Sequence, residues 1–266
     1  ISVMRAGFVV GILGFAGAVL QGANVTEAVG TGLIRGVTLT PAAVVTVLAI
    51  AATLVAIGVF AGYPIATAFT VTGAVVGVGL ALGGDPAWAT YREIVGLWVA
   101  VPFVGGGVAY VTASGLRHAD RDRVTIPLLG AVVGGLLANI RFVVFGPPGT
   151  QQSLAQTVAG AMGGSAAVIM GIVTLAVGAL VAAIIWWDLR ARPVAGQRHF
   201  LLALGGLVAF SAGGSQVGLA VGPLLPLVET QVPVVAVLFG GGLGLLVGSW
   251  TGAPRMIKAL AQDYSS

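Results

Sequence analysis

The chain has 266 residues, of which 58% are hydrophobic and 8% are charged, and its mean hydropathy is +1.06. Soluble domains carry about one quarter charged residues, so this composition excludes a soluble globular protein and predicts residence in a lipid bilayer. The absence of cysteine excludes disulfides, thiolate chemistry and cysteine-based metal sites.

Apolar runs of membrane-spanning length predict about seven to nine membrane segments, some of which do not cross fully. The clear runs are 42–60, 66–82, 94–113, 126–145, 166–187, 200–210 with its continuation, and 234–250. The predicted fold class is therefore an all-α polytopic membrane protein. Because the chain begins at Ile1 without methionine and closes on a polar stretch, we expect more chain at both ends.

A segment near the start of the chain recurs near its end without a gap. Residues 22–45 align with 214–237 at a constant offset of 192, and nine of the 24 positions are identical. This composition would give about two or three identities by chance. They are Gly22/Gly214, Val25/Val217, Ala28/Ala220, Val29/Val221, Gly30/Gly222, Leu33/Leu225, Thr38/Thr230, Pro41/Pro233 and Val45/Val237. In a membrane chain, two glycine-broken copies predict a binding site between two halves, which makes transport the leading hypothesis.

The first copy carries four polar side chains, Asn24, Thr26, Glu27 and Thr31. Positions 24, 27 and 31 share one helical face and are predicted to point into one cavity. An ionisable side chain at membrane depth is costly and usually lines a water-filled path, so Glu27 is predicted to be functional. The alternative is that Glu27 reaches an interface or pairs with Arg35.

The second copy carries Ser211, Ser215 and Gln216, and Leu219 occupies the position of Glu27. Helix N-termini at a break suit an anion, whereas carbonyl and side-chain oxygens suit Na⁺. We therefore predict an anion site between the copies, with Na⁺ near Asn24, Glu27 and Gln216.

A third polar element lies at 62–70, between two apolar runs. Pro64 stops the incoming helix, and Thr67 and Thr70 follow one helical turn apart. These threonines are predicted to line the same cavity; a simple helical hairpin turn explains the element equally well.

Basic residues lie in three short connections separated by pairs of apolar spans. The positive-inside rule places these connections in the cytoplasm. The net charge of +4 is then explained by the orientation of the chain in the membrane, so we do not expect nucleic-acid binding. The residues are Arg117, Arg121, Arg123, Arg190, Arg192, Arg198, Arg255 and Lys258. The predicted organisation is a first repeat half at 1–115, connecting loops and middle helices at 116–199, and the start of a second half at 200–266.

Three other ionisable residues carry no predicted catalytic role. His118 and His199 stand alone without metal-ligand spacing, and Arg141, inside the run 126–145, is explained better by reaching a membrane edge than by substrate binding. With no His/Cys/Asp cluster, phosphate loop or paired acids, we do not expect an enzyme or a cofactor.

The two copies resemble the duplicated signature of the inorganic phosphate transporter (PiT) family, approximately G-A-N-D-x-A-N-A-x-G-[TP]. They align with it as Q-G-A-N-V-T-E-A-V-G-T at 21–31 and G-G-S-Q-V-G-L-A-V-G-P at 213–223, and P-I-A-T-A-F at 64–69 stands where the family has P-[VI]-S-T-T-H. The resemblance covers about 5–115 and 200–260. A second P-x-S-T-T-H element is absent, and we expect it beyond the C-terminus.

The chain departs from the family pattern at its polar positions. Asn24 and Gln216 stand where the family has aspartate, Glu27 and Leu219 where it has its second asparagine, and Ala66 and Phe69 replace its serine and histidine. A one-residue gap would instead align Asn24 with the first asparagine of the family. The departures leave both the anion and the coupling ion open.

The resemblance implies an inverted-repeat transporter of the cell membrane that couples phosphate uptake to Na⁺ or H⁺ by alternating access at a midplane site. The implied partners are an inorganic anion and the bilayer, and homo-oligomerisation is left open. The alternative is a transporter-derived protein that carries another small solute or acts as a membrane-embedded binding or regulatory subunit.

Overall fold

The computed structural model describes residues 3–61, 65–116, 122–147, 150–228 and 231–251. Within them the helices are α1 (Val3–Gln21), α2 (Ala23–Thr31), α3 (Pro41–Ala61), α4 (Thr67–Ala81), α5 (Trp88–Leu116), α6 (Asp122–Asn139), α7 (Leu154–Met162), α8 (Ala166–Ala191), α9 (Pro193–Val221), α10 (Leu225–Val228) and α11 (Val234–Thr251). Four two-residue strands form two antiparallel pairs, β1 (Ile34–Arg35) with β2 (Asp85–Pro86) and β3 (Arg141–Phe142) with β4 (Gln152–Ser153).

Five of these helices are long and apolar enough to cross a membrane, among the described residues, and α1 with α2 makes a sixth span if the bent pair counts as one. The axes of α1 and α2 differ by 63°. The apolar helices Thr67–Ala81 and Arg123–Asn139 are shorter. The predicted all-α polytopic membrane protein with a broken helix is confirmed.

The chain forms two compact units, Ile1–Ile94 with Gly206–Ser266, and Val95–Gly205. The sequence predicted a different division, into 1–115, 116–199 and 200–266. That division rests on sequence similarity and not on packing, so it stays a prediction.

The first unit contains both copies of the repeat. Its main core joins side chains of α2, α3, α4 and the end of α9, including the fully buried Val44 and Val47. The β1–β2 pair sets Ile34 opposite Pro86, and Gly36 and Gly83 beside it adopt φ of +78° and +84°, a region that glycine enters without strain.

The second unit is built on α6 and α8. A Cβ atom on Gly178 would lie 2.8 Å from the Ala131 carbonyl oxygen, so the two helix backbones approach closely at small residues. The Asn139 amide donates hydrogen bonds to the Thr174 hydroxyl and the Gly135 carbonyl, both at 2.8 Å.

The run 126–145 does not form one helix to its end. Helix α6 stops at Asn139, and Arg141 lies exposed in β3, opposite Ser153 of β4. Arg141 therefore lies beyond the helix and not inside a span, because the chain turns into the β3–β4 pair after Asn139.

Candidate functional site

The first copy of the repeat contains the bend between α1 and α2. Gly22 is buried at the bend, where a Cβ atom would lie 2.5 Å from the Ala18 carbonyl oxygen and 2.7 Å from a methyl carbon of Leu238. No side chain caps the start of α2. The bend therefore depends on a glycine at this position.

The two copies of the repeat pack against each other through their glycines. A Cβ on Gly30 would lie 2.5 Å from the Gly222 carbonyl oxygen, and one on Gly218 would lie 2.6 Å from the Val25 Cβ. Just before the two copies, a Cβ on Gly213 would collide with the Gly14 backbone, so the close approach begins in the preceding residues of α1 and α9. Small residues at these positions let the two segments come close together.

The same contacts give the direction of the two segments. Gly14 meets Gly213, Gly22 meets Gly218, and Gly30 meets Gly222 and Leu225, so both copies run the same way along each other. These two segments are thus related by parallel packing. The family resemblance implies an inverted relation between two complete halves of the transporter. These two short segments do not test that relation, so it stays a prediction.

The predicted polar face of the first copy is present. Asn24, Glu27 and Thr31 are all exposed on α2, as the helical spacing predicts. Thr26, by contrast, is fully buried, and its hydroxyl donates a 3.0 Å hydrogen bond to the Gly22 carbonyl. Thr26 therefore lies in the packing of α2 and not on its polar face.

One hydrogen bond joins the second copy to the third polar element. The Thr67 hydroxyl, at the start of α4, donates to Oε1 of Gln216 in α9 at 2.6 Å. Among the described residues, this is the one side-chain to side-chain hydrogen bond within the nine predicted binding residues. The prediction that Thr67 lines the same cavity as Gln216 of the second copy is supported by this bond.

Two of the remaining predicted binding residues donate hydrogen bonds to a carbonyl four residues earlier in the chain, and for two others the structure gives the exposure. Thr70 donates to the Ala66 carbonyl at 3.2 Å and Thr31 to the Glu27 carbonyl at 3.0 Å, as threonine often does within a helix. Ser211 is exposed and Ser215 is half-buried in α9. Their role as ligands stays a prediction.

Glu27 and Arg35 do not form an ion pair; in the part of the chain that the structure describes, the one contact between an acidic and a basic side chain joins Asp188 and His199, at 2.8 Å. The same residues hold no group of three histidine, cysteine or acidic side chains suited to a metal ion. A Na⁺ site on Glu27 would thus depend on neutral amide, hydroxyl or carbonyl oxygens for its other ligands.

A cleft of about 300 Å³ opens beside the middle of the two copies, and the sequence did not predict it. Its lining combines the Thr31 and Thr38 side chains with apolar neighbours, Gly30, Ile34, Val37, Leu39, Val75 and Pro226. The sequence signal that could have predicted this cleft was the identity of Thr38 and Thr230 within the repeat.

Seven residues discussed from the sequence lie outside the described residues. They are Pro64, Arg117, His118, Arg121, Thr230, Arg255 and Lys258.

A family model described as the phosphate transporter family matches residues 1–266. The chain belongs to the phosphate transporter family. This confirms the resemblance drawn from the two signature copies, and because the family consists of transporters, it also agrees with the expectation that the chain is not an enzyme.

Individual members of the phosphate transporter family are distant from this chain. It is 24% identical to the "Putative phosphate permease TK2061" of Thermococcus kodakarensis over 98% of this chain and 69% of that protein. It is 27% identical to the "Inorganic phosphate transporter 2-1, chloroplastic" of Arabidopsis thaliana over 44% of this chain and 22% of that protein.

A solved structure titled "The sodium-dependent phosphate transporter" has a similar fold. Its TM-score is 0.74 at 19% identity, and the match covers 98% of this chain and 69% of that chain. The shared fold is that of a multi-pass helical membrane protein.

Proposed function

We propose that the protein moves inorganic phosphate across the cell membrane as a secondary transporter coupled to Na⁺ or H⁺. The proposal rests chiefly on one observation: the two signature copies pack backbone to backbone, with a polar face on the first and the Thr67–Gln216 hydrogen bond on the second. Membership of the phosphate transporter family supports phosphate as the substrate. Alternating access at a midplane site between the repeats is the mechanism that this arrangement favours.

Within the proposed site, neutral donors would hold the anion. Hydroxyl and amide groups hydrogen-bond phosphate without adding fixed charge, and the start of α2 adds backbone N–H groups and the positive end of the helix dipole. The proposed ligands are Asn24, Thr31, Thr67, Thr70, Ser211, Ser215 and Gln216, with Thr26 shaping α2 behind them.

Glu27 would serve the coupling cation. A carboxylate repels phosphate, but once it binds Na⁺ or a proton its charge is neutralised and the anion is no longer repelled. Cation and anion would then occupy the site together, which is the physical basis of symport. Because the solved relative is titled a sodium-dependent transporter, Na⁺ is the ion to test first.

The experiment is uptake of radiolabelled phosphate into proteoliposomes that contain the purified protein. We expect concentrative uptake under an inward gradient of Na⁺ or of protons, but not in liposomes without protein or with both gradients collapsed. Absence of uptake under either gradient, with the protein correctly inserted, would overturn the proposal.

A second function is favoured by the departures from the family signature. With Asn24 and Gln216 at the aspartate positions and Leu219 buried in the core, the chain could carry another small solute or act as a membrane-embedded binding or regulatory subunit. Phosphate that binds the detergent-solubilised protein without being transported would favour the subunit. Uptake of a different anion would favour another cargo.

A further inference from the structure

The turn between α8 and α9 is tight and well braced. The Arg192 N–H donates to the Asp188 carbonyl at 2.8 Å, and the Gly196 N–H donates to the Arg192 carbonyl at 2.7 Å. A Cβ on Gly196 would lie 3.0 Å from the Leu189 backbone nitrogen, so the first turn of α9 packs directly on the last turn of α8. Leu189 is buried beneath it. The side chains around this turn are therefore presented on a fixed backbone.

The acidic side chain of the turn is already engaged. Nδ1 of His199 lies 2.8 Å from Oδ2 of Asp188. Arg190, Arg192 and Arg198 lie between these two residues in the sequence, are all exposed, and form no salt bridge with another residue that the structure describes. The turn thus presents three guanidinium groups against one carboxylate, which the His199 ring already contacts, and it carries a net positive charge.

Aromatic and apolar side chains accompany the arginines. The Arg190 guanidinium lies 3.8 Å from the centre of the Trp186 ring, a cation–π contact. Trp187 and Val194 are 73% and 85% exposed on the same turn. Tryptophan next to arginine at the end of a spanning helix is typical of the level where lipid headgroups meet the acyl chains.

We propose that the α8–α9 turn binds the headgroup of an anionic phospholipid. Arg192 and Arg198 contact the lipid phosphate, for which planar guanidinium groups are suited, while Trp186 and Trp187 lie along the glycerol and upper acyl region. Arg190, held on Trp186, adds charge beside the phosphate. The positive-inside rule places this turn, and hence the bound lipid, in the cytoplasmic leaflet.

The test is native mass spectrometry of the purified protein titrated with phosphatidylglycerol or phosphatidylcholine. We expect phosphatidylglycerol to bind more tightly, and the double variant Arg192→Gln/Arg198→Gln to weaken that binding roughly 30-fold, an effect typical of two arginines at an anionic surface. The double variant Arg192→Lys/Arg198→Lys keeps the charge and should retain most of the binding. Arg141→Gln, an exposed arginine of β3, is the matched control and should change nothing.

Three results would overturn the proposal. One is equal binding of the two lipids, and another is an equal loss caused by Arg141→Gln. The third is displacement of the lipid by millimolar inorganic phosphate, which would assign the turn to the free anion. Helical content measured by circular dichroism separates a lost lipid site from a misfolded variant. Phosphate uptake is not needed for the test, so it stands or falls separately from the proposed transport function.

Discussion

At the residue scale, the difference between Glu27 and Leu219 defines the asymmetry of the repeat. They occupy equivalent positions, yet Glu27 is exposed on the polar face of α2, whereas Leu219 is 6% exposed within the apolar core. An unpaired carboxylate in that core would be strongly destabilising, so the second copy can hold only an apolar side chain there. The acid at this position of the repeat is therefore present in the first copy only.

We expect Glu27→Gln to reduce cation-driven phosphate uptake at least tenfold while leaving expression and thermal stability unchanged. The glutamine amide has the same size as the carboxylate of Glu27. It does not take up a proton near neutral pH, and it offers Na⁺ no full negative charge. Glu93→Gln, which removes an exposed acid from α5, is the matched control. Uptake by Glu27→Gln at the level of Glu93→Gln would show that Glu27 does not couple transport.

The residue scale also shows where helical spacing and burial place the polar side chains of α2. Helical spacing correctly grouped Asn24, Glu27 and Thr31 on one exposed face. Thr26 lies off that face, and its polarity alone suggested a site role. The hydroxyl instead donates to the Gly22 carbonyl one turn earlier, so the buried polar group has a hydrogen-bond partner within its own segment.

At the element scale, the packing of α1 and α2 along α9 depends on glycines whose neighbours are backbone atoms. Backbone cannot move aside as the end of a flexible side chain can, so even one methyl group at these positions forces the helices apart. Other glycines of the chain have open space beside them. Gly77 of α4, in the same unit, has no atom within 4 Å of an added Cβ.

We expect Gly213→Ala to lower the thermal unfolding midpoint of the detergent-solubilised protein by several degrees, because the new methyl group collides with the Gly14 backbone. Gly77→Ala is the control and should leave the midpoint unchanged or raise it slightly, since alanine favours the helix. Equal midpoints for the two variants would mean that the close approach of α1 and α9 does not matter for stability.

At the scale of the whole molecule, the basic connections predict the orientation of each unit in the membrane. For the second unit, Val194 at the α8–α9 turn should face the cytoplasm, and Thr150, in the connection before β4, the opposite side. The chain has no cysteine of its own, so a single introduced cysteine reports on one place only.

We expect a membrane-impermeant maleimide added to intact cells to label Thr150→Cys and to leave Val194→Cys unlabelled. Both positions are exposed, so the difference reports sidedness and not burial. Permeabilised cells provide the control in which both variants react. Labelling of Val194→Cys alone from outside would show that the orientation is the reverse of the predicted one. Labelling of both positions from outside would contradict the placement of Thr150 and Val194 on opposite sides of the membrane.

The sequence by itself determined the class of the protein, the main spans and the existence of two related copies. These follow from composition, from the length of apolar runs and from a constant offset, all of which are local or one-dimensional properties. Even the polar face of α2 follows from the helical period.

The tertiary structure alone decided which residues meet. That the two copies run in the same direction, that Thr67 reaches Gln216 across 149 positions, and that Leu219 belongs to the core all depend on contacts between distant segments. The end of α6 at Asn139 was decided by the β3–β4 pair, which the apolar run 126–145 conceals. A periodic pattern tells which way a side chain faces on its own helix, but the packing of the other helices decides what lies opposite it.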